Sequence, residues 1–163
     1  MPERLVIADT SPLLYLHKAQ HLDLLRRLYG TVAVPTAVST EIEEGRRRGF
    51  DVPNIASIPW IAARSISDRR LLPAITDLGP GEAEAIALGL EYPGSLVLLD
   101  DRLARRIALL SGVVCTGTLG VLLKAKSVGL LPLVRPVLEV LRGHGMRIHD
   151  DLVRRVLAIA QEE

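Results

Sequence analysis

The sequence predicts a three-layer α/β/α domain, with helices on both faces of a mainly parallel sheet of four or five strands. Three observations predict it. The candidate strands are short and continuously apolar, without the alternation of a sheet that has one wet face. Segments with helical spacing separate them. Acidic residues recur where strands give way to the next element, the edge at which parallel sheets collect ligands.

Taken in order, residues 5–8 read as a buried strand and residues 12–29 as a leucine-rich helix closed by Gly30. Residues 32–34 form the next strand. Pro35, placed at the first helical position, opens a helix carrying Val38 and Ile42 one turn apart, which runs out in the charged stretch 43–48. An extra strand is expected at 58–63 and a short helix at 68–75. Pro80 and Gly81 then open an alanine-rich helix, and residues 95–99 are a strand stopped by Asp100 and Asp101. A helix at 102–110, a strand at 113–115 and a helix after the turn "TGT" follow. Two more helices, near 133–141 and 150–160, end the chain and belong to the same unit, so residues 1–163 are read as one domain.

Composition narrows the function. Hydrophobic residues make up 48% but only five are aromatic, so the core must be aliphatic. A net charge of +1 excludes a global basic field, yet 17 of the 20 basic residues are arginine, the better bidentate phosphate ligand. An arginine-favouring codon bias gives the same excess. The single Cys115, flanked by Val113 and Val114, excludes an internal disulfide and reads as a small buried hydrophobe in a strand. No apolar run approaches the ~18 residues of a membrane span. Met1-Pro2-Glu3-Arg4 runs straight into a strand rather than a signal peptide, so a cytoplasmic protein is expected.

Asp9 follows the first strand, and Asp100 with Asp101 follows the strand at 95–99. Glu41, two turns into the second helix, and Glu82, in the first turn of the alanine-rich helix, can reach the same edge. Each acid has a plain use by itself: Asp9 and Asp100 as helix caps, Glu82 against a helix dipole, Glu41 in solvent. As a set they conflict. Two unit charges ~4 Å apart repel by about 4 kcal/mol at an effective dielectric of about 20, so converging carboxylates call for a cation. All-oxygen ligands suit Mg²⁺ or Mn²⁺ rather than Zn²⁺, and such an ion activates water for displacement at phosphorus. His17 and His21 share a helix face but lack a further zinc ligand at suitable spacing.

The motifs "IADTS" at 7–11, "VPTAVSTEI" at 34–42, "GEAEAIAL" at 81–88 and "LVLLDD" at 96–101 resemble the PIN-domain nucleases. The resemblance is to the VapC-type toxin group and, through "CTGTLGVLLKAKSVGLLP" at 115–132, to an uncharacterised branch of it. It implies a PIN-like fold and a metal-dependent endoribonuclease that hydrolyses RNA phosphodiester bonds, the toxin of a toxin–antitoxin pair. It also implies an antitoxin partner and a homodimer. Asp9, Glu41, Glu82 and Asp100 match the family's four acids in order and would be catalytic, holding Mg²⁺ or Mn²⁺ with Asp101 as a further ligand. The third acid, commonly Asp in the toxins, is Glu here.

Around that set, Thr10, Ser11 and Thr118 are candidate supporting hydroxyls, and Gly117 and Gly120 would let backbone approach a ligand. Arg46, Arg47, Arg48, Arg102, Arg105 and Arg106 are the candidate RNA contacts, with Arg69 and Arg70 in reserve. The contrasting expectation is a non-catalytic module whose acidic pocket serves the fold or a partner. A haloacid-dehalogenase-like phosphatase needs a second acid two residues after the first, where Ser11 stands. A receiver domain needs its acid pair early in the chain, not at 100 and 101.

Overall fold

A computed structural model describes residues 4–163; the expected run into the first strand from Met1, Pro2 and Glu3 lies outside the described residues. The strands β1 (Val6–Ala8), β2 (Val32–Pro35), β3 (Ile61–Arg64), β4 (Leu96–Leu98) and β5 (Val114–Thr116) form one sheet in the order β3-β2-β1-β4-β5, all pairs parallel. The helices are α1 (Thr10–Lys18), α2 (Asp23–Tyr29), α3 (Thr36–Arg47), α4 (Pro80–Glu91), α5 (Arg102–Leu110), α6 (Thr118–Ser127), α7 (Arg135–Gly143) and α8 (Asp150–Ile159).

Both faces of the central strands are buried, which is why their sequences show no polar alternation. Side chains still alternate between faces. Val6, Ala8, Val32, Val34, Leu96 and Leu98 join one core cluster, while Ile7, Ala33, Val97 and Leu99 join the other. Residues of α1, α2, α6, α7 and α8 pack in the first cluster. Ala85, Ile86 and Leu88 of α4, with Ala104 and Ala108 of α5, pack in the second. The three layers expected from the sequence are therefore present, with five strands.

Several local readings change. The single helix at 12–29 is two helices, because the chain turns at Ala19–Leu22 with Gln20 in the left-handed region at φ 61°. The His21 N–H returns to the Leu16 carbonyl at 2.8 Å, which closes the turn. Pro35 ends β2 and stands just ahead of α3 instead of inside it. The extra strand lies at Ile61–Arg64, not 58–63. The expected helix at 68–75 is only a 3-10 turn at Arg69–Leu71; Pro73 disfavours helical backbone at Leu72, which is extended. Cys115 is half-buried and its neighbour Val114 is exposed, because β5 is a sheet edge and not an inner strand.

The leucines of the helices near 13–28 and 133–141 are mostly used within the chain. Leu13, Leu16, Leu24, Leu25, Leu138 and Leu141 are buried within the chain, and Leu14, Leu22 and Leu28 pack against the same cluster. Leu133 is exposed, as are Leu109 and Leu110 at the end of α5. Fully burying a leucine contributes about 1.5–3 kcal/mol, which is reason enough for the composition. Among the described residues no helix is long and apolar enough to cross a membrane.

Candidate active site

From β1 the chain steps outward to β2 and β3, then returns to the other side of β1 as β4 and β5. The strand order therefore reverses between β1 and β4, and a crevice opens beyond their carboxyl ends. Asp9 leaves β1 and Asp100 leaves β4 at that crevice. Pairing of Ala8 with Leu98, and the Asp9 N–H donating to the Leu98 carbonyl at 3.1 Å, fix the two exits side by side.

Asp9 stands at the N-cap position of α1, but its side chain makes no capping hydrogen bond. It is 4% exposed, and its carboxyl is pushed up to about 7. Burial is the main cause, with Glu82, Glu41 and Asp100 adding repulsion against the pull of the Thr10 N–H. Asp101 behaves in the opposite way. It is exposed, and its carboxylate accepts from the Ala104 N–H at 2.9 Å, a working N-cap of α5. The two acids at the end of β4 thus divide their roles, and Asp100 is the one turned inward.

Burial also raises the Asp100 carboxyl, opposed by the Thr118 hydroxyl, the Thr118 N–H and the Arg105 charge. The hydroxyl donates to Oδ2 at 2.6 Å and the N–H to Oδ1 at 2.7 Å. Gly117 is required just before this contact. A Cβ there would lie 2.7 Å from Arg105 Nη1 and 2.8 Å from Asp100 Oδ1. Gly120 similarly leaves room for Thr116, whose hydroxyl would sit 2.0 Å from an added Cβ. Both glycines are explained by side chains of this chain packing against them.

Glu41 and Glu82 arrive on α3 and α4. Glu41 is exposed, and its Oε2 accepts from the buried Thr10 hydroxyl at 2.8 Å. Glu82 accepts from the Gly79 N–H at 3.2 Å, the reciprocal arm of a helix start, and its carboxyl is raised by burial, with Asp101 and Glu41 adding to the rise. Asp9, Glu41 and Glu82 line one cleft of about 630 Å³, together with Thr10 and Ser11. Asp100 is not among the lining residues and acts on the cleft through the charge it places near Asp9.

The donor set fits a hard divalent cation in kind: it is all oxygen, anionic and mutually repelling. Among the described residues, no three acid, histidine or cysteine side chains stand close enough together to ligate an ion as they are placed. Glu41 is turned to Thr10, Glu82 to Gly79 and Asp100 to Thr118. The side chains that would have to swing, Glu41 and Glu82, are the longer and less buried ones.

Sequence reasoning missed three neighbours. Gly81 lies against the acids, since a Cβ there would be 3.0 Å from Asp9 Oδ1 and 3.5 Å from Glu41 Oε2. Glu84 also lines the cleft and caps α3 by accepting from the Ala37 N–H at 3.1 Å. Tyr15 is near enough to Asp100 that burial and this charge together raise its hydroxyl. Glu84 was visible as the acid two residues after Glu82; the other two carry no sequence signal.

The candidate RNA arginines separate into two groups. Arg46 pairs with Glu43 at 3.0 Å, Arg48 with Glu44 at 3.1 Å, and Arg47 lies 3.8 Å from both acids. These are exposed pairs on one helix, at the i, i+3 and i, i+4 spacings readable in the sequence. Arg102, Arg105 and Arg106 make no ion pair among the described residues. Arg70 is spent on Asp68 at 2.9 Å. His17 bonds Asp51 at 2.9 Å, so its ring is engaged without His21.

Comparison with known proteins gives the same fold. A solved PilT N-terminus domain protein from the hyperthermophilic archaeon Sulfolobus solfataricus P2 is similar at 17% identity and a TM-score of 0.50, over 89% of this chain and 97% of that one. At that identity the likeness bears on fold alone. No curated protein matches the chain. The family model described as "DUF3368: PIN domain" matches residues 5–162, nearly the whole sequence, and on that match the chain belongs to the PIN-domain family.

Proposed function

We propose that this chain is a metal-dependent endoribonuclease that hydrolyses RNA phosphodiester bonds, with Asp9, Glu41, Glu82 and Asp100 as its acids. The observation that carries the reading is Asp9: a buried carboxylate at the topological switch point, next to three other acids and without a capping bond. A buried carboxylate met by a single backbone N–H is still expensive in its charged form unless something positive meets it. Asp9 and Asp100 would hold Mg²⁺ or Mn²⁺ from the strand ends, and Glu41 and Glu82 from the two helices. Bound there, the ion supplies Lewis-acid activation of water and stabilises charge at phosphorus.

The other groups position these acids. Thr118 holds both oxygens of Asp100 and leaves it fixed in direction. Thr10 holds Glu41 over the cleft, and Ser11 lines the same wall. Asp101 is assigned to capping α5, which leaves Asp100 as the ligand. Arg102, Arg105 and Arg106, on the helix that begins beside Asp100, supply positive charge for the RNA backbone. The wider reading follows the family: the toxin of a toxin–antitoxin pair, homodimeric and cytoplasmic, with the C-terminal helices in the same domain as the site.

A second reading has its own observation. Glu41, Glu82 and Asp100 each already accept a hydrogen bond from this chain, as the acids of a non-catalytic binding module would. Incubation of single-stranded RNA with the protein and Mn²⁺ or Mg²⁺ separates the two. Cleavage that is abolished by chelator and by Asp9→Asn supports the nuclease; intact RNA under all conditions supports the module.

A further inference from the structure

Helix α3 begins without a cap of its own. The residue at its N-cap position is Pro35, whose side chain has no acceptor, and the hydroxyl of Thr36 is engaged with that of Ser65 at 3.1 Å. The first N–H groups of a helix have no partner inside it, so the start of α3 needs an acceptor from elsewhere. Helix α4 supplies one. Glu84 Oε1 accepts from the Ala37 N–H at 3.1 Å, across 47 residues of sequence. Its negative charge also stands at the positive end of the α3 dipole.

This bond joins the two helices that carry half of the acid set. Glu41 stands one turn beyond Ala37 on α3, about 6 Å along the axis, and Glu82 stands two residues before Glu84 on α4. All four residues line the same cleft. The helices also meet at Gly81, where an added Cβ would lie 3.0 Å from Val38 Cγ2 and 3.5 Å from Glu41 Oε2. The gap between α3 and α4 is therefore fixed at two points, by close contact at Gly81 and by the Glu84 bond three residues further along. Without that bond, the separation of Glu41 from Glu82 loses one of them. The rival role for Glu84, a fifth acid on the ion, would require it to leave the Ala37 N–H and reopen the start of α3.

We propose that Glu84 is a positioning residue of the cation site, which sets the spacing of Glu41 and Glu82 by tying the first turn of α3 to α4. The assignment rests on the metal-dependent reading above and adds a residue outside its four acids. For this role Glu84 needs an acceptor oxygen and not a charge.

The test reads cation binding, separately from cleavage. Calorimetric titration with Mn²⁺ is compared for the wild type, Glu84→Ala, Glu84→Gln and the double variant Glu84→Ala with Pro35→Ser, each shown to be folded by its melting curve. Glu84→Gln keeps a carbonyl oxygen for the Ala37 N–H. Pro35→Ser gives α3 a local cap that has no tie to α4. Glu84→Ala is expected to bind Mn²⁺ about ten-fold more weakly, as loss of a residue that orients metal ligands does. Glu84→Gln should stay close to the wild type, and the double variant should stay as weak as Glu84→Ala. Equal losses for Glu84→Ala and Glu84→Gln overturn the proposal and make the carboxylate a ligand. Full affinity in Glu84→Ala, or its recovery in the double variant, overturns it as well and leaves Glu84 a cap alone. Failure of the metal-dependent reading looks different: the wild-type chain then takes up no Mn²⁺, and there is no cation site to position.

Discussion

Thr118 grips Asp100 at both carboxylate oxygens, N–H to Oδ1 at 2.7 Å and hydroxyl to Oδ2 at 2.6 Å, across the junction of β4 with α6. The threonine is fully buried, so no water replaces a lost hydroxyl at low cost. Thr118→Val keeps the shape and the N–H and deletes one charge-assisted bond. We expect it to lower stability by about 1.5–3 kcal/mol in urea denaturation and to raise the Asp100 carboxyl further. Metal affinity should fall with it, because the charged form of the acid is less favoured and its direction less fixed.

The pH dependence of the metal-free protein follows from Asp9. Its carboxyl lies near 3.8 when unfolded and about 7 when folded, so between those values the folded state holds the extra proton. Stability then falls as pH rises through about 4 to 7, by on the order of 4 kcal/mol at most if the whole rise is expressed. The raised carboxyls of Glu82 and Asp100 act in the same direction. Glu162 acts oppositely: burial would raise it, but the N–H groups of Arg135 and Val134 and the Lys126 ammonium hold it at about 2. Its stabilisation is lost only as pH drops from about 4 toward 2, outside the Asp9 window. Thermal melts in chelator should therefore peak near pH 4 to 5, and Asp9→Asn should flatten the decline toward pH 8.

Gly81→Ala separates site from fold. Alanine in the first turn of α4 gains roughly 0.5–1 kcal/mol of helix propensity over glycine. The new methyl, though, would stand 3.0 Å from both Asp9 Oδ1 and Val38 Cγ2 and must displace one of them. The two effects are comparable, so the melting temperature should move little while RNA cleavage drops ten-fold or more. A large loss of stability with full activity would show that Val38, not Asp9, gives way.

The arginines yield a salt test. Arg102→Ala with Arg106→Ala should reduce the logarithmic salt slope of single-stranded RNA binding by about 1.4, at roughly 0.7 per phosphate contact. Arg46→Ala with Arg47→Ala should change it by less than half as much, because their charge is shared with Glu43 and Glu44. Equal effects of the two pairs would bring the end of α3 back into the RNA surface.

How much of this was legible depends on which force placed each residue. The strands β1, β2 and β4 were readable because burial on both faces leaves an unbroken apolar run, and Asp9 and Asp100 were readable because such runs end at them. The break between α1 and α2 was not, since Gln20 adopts a backbone normally signalled by glycine. β5 reads as an inner strand from its apolar letters, and only the strand order makes it an edge. The assignment of Asp101 to a cap and Asp100 to the cleft depends on a side-chain direction that adjacency in sequence does not encode. Gly81 likewise owes its place to the approach of α4 to α3 and β1. The Arg46–Arg48 pairings were legible, since Glu43 and Glu44 stand three and four residues earlier, but a run of like charge draws attention away from its partners.

The central claim is that the acids at the β1–β4 crevice form a cation site that works on RNA. Calorimetric titration of the metal-free wild-type chain with Mn²⁺, repeated on Asp9→Asn, tests it most directly. Saturable binding to the wild type that is lost or weakened at least ten-fold in Asp9→Asn, with both proteins folded, is the predicted result. Identical titrations of the two proteins, or no binding to either, would contradict it.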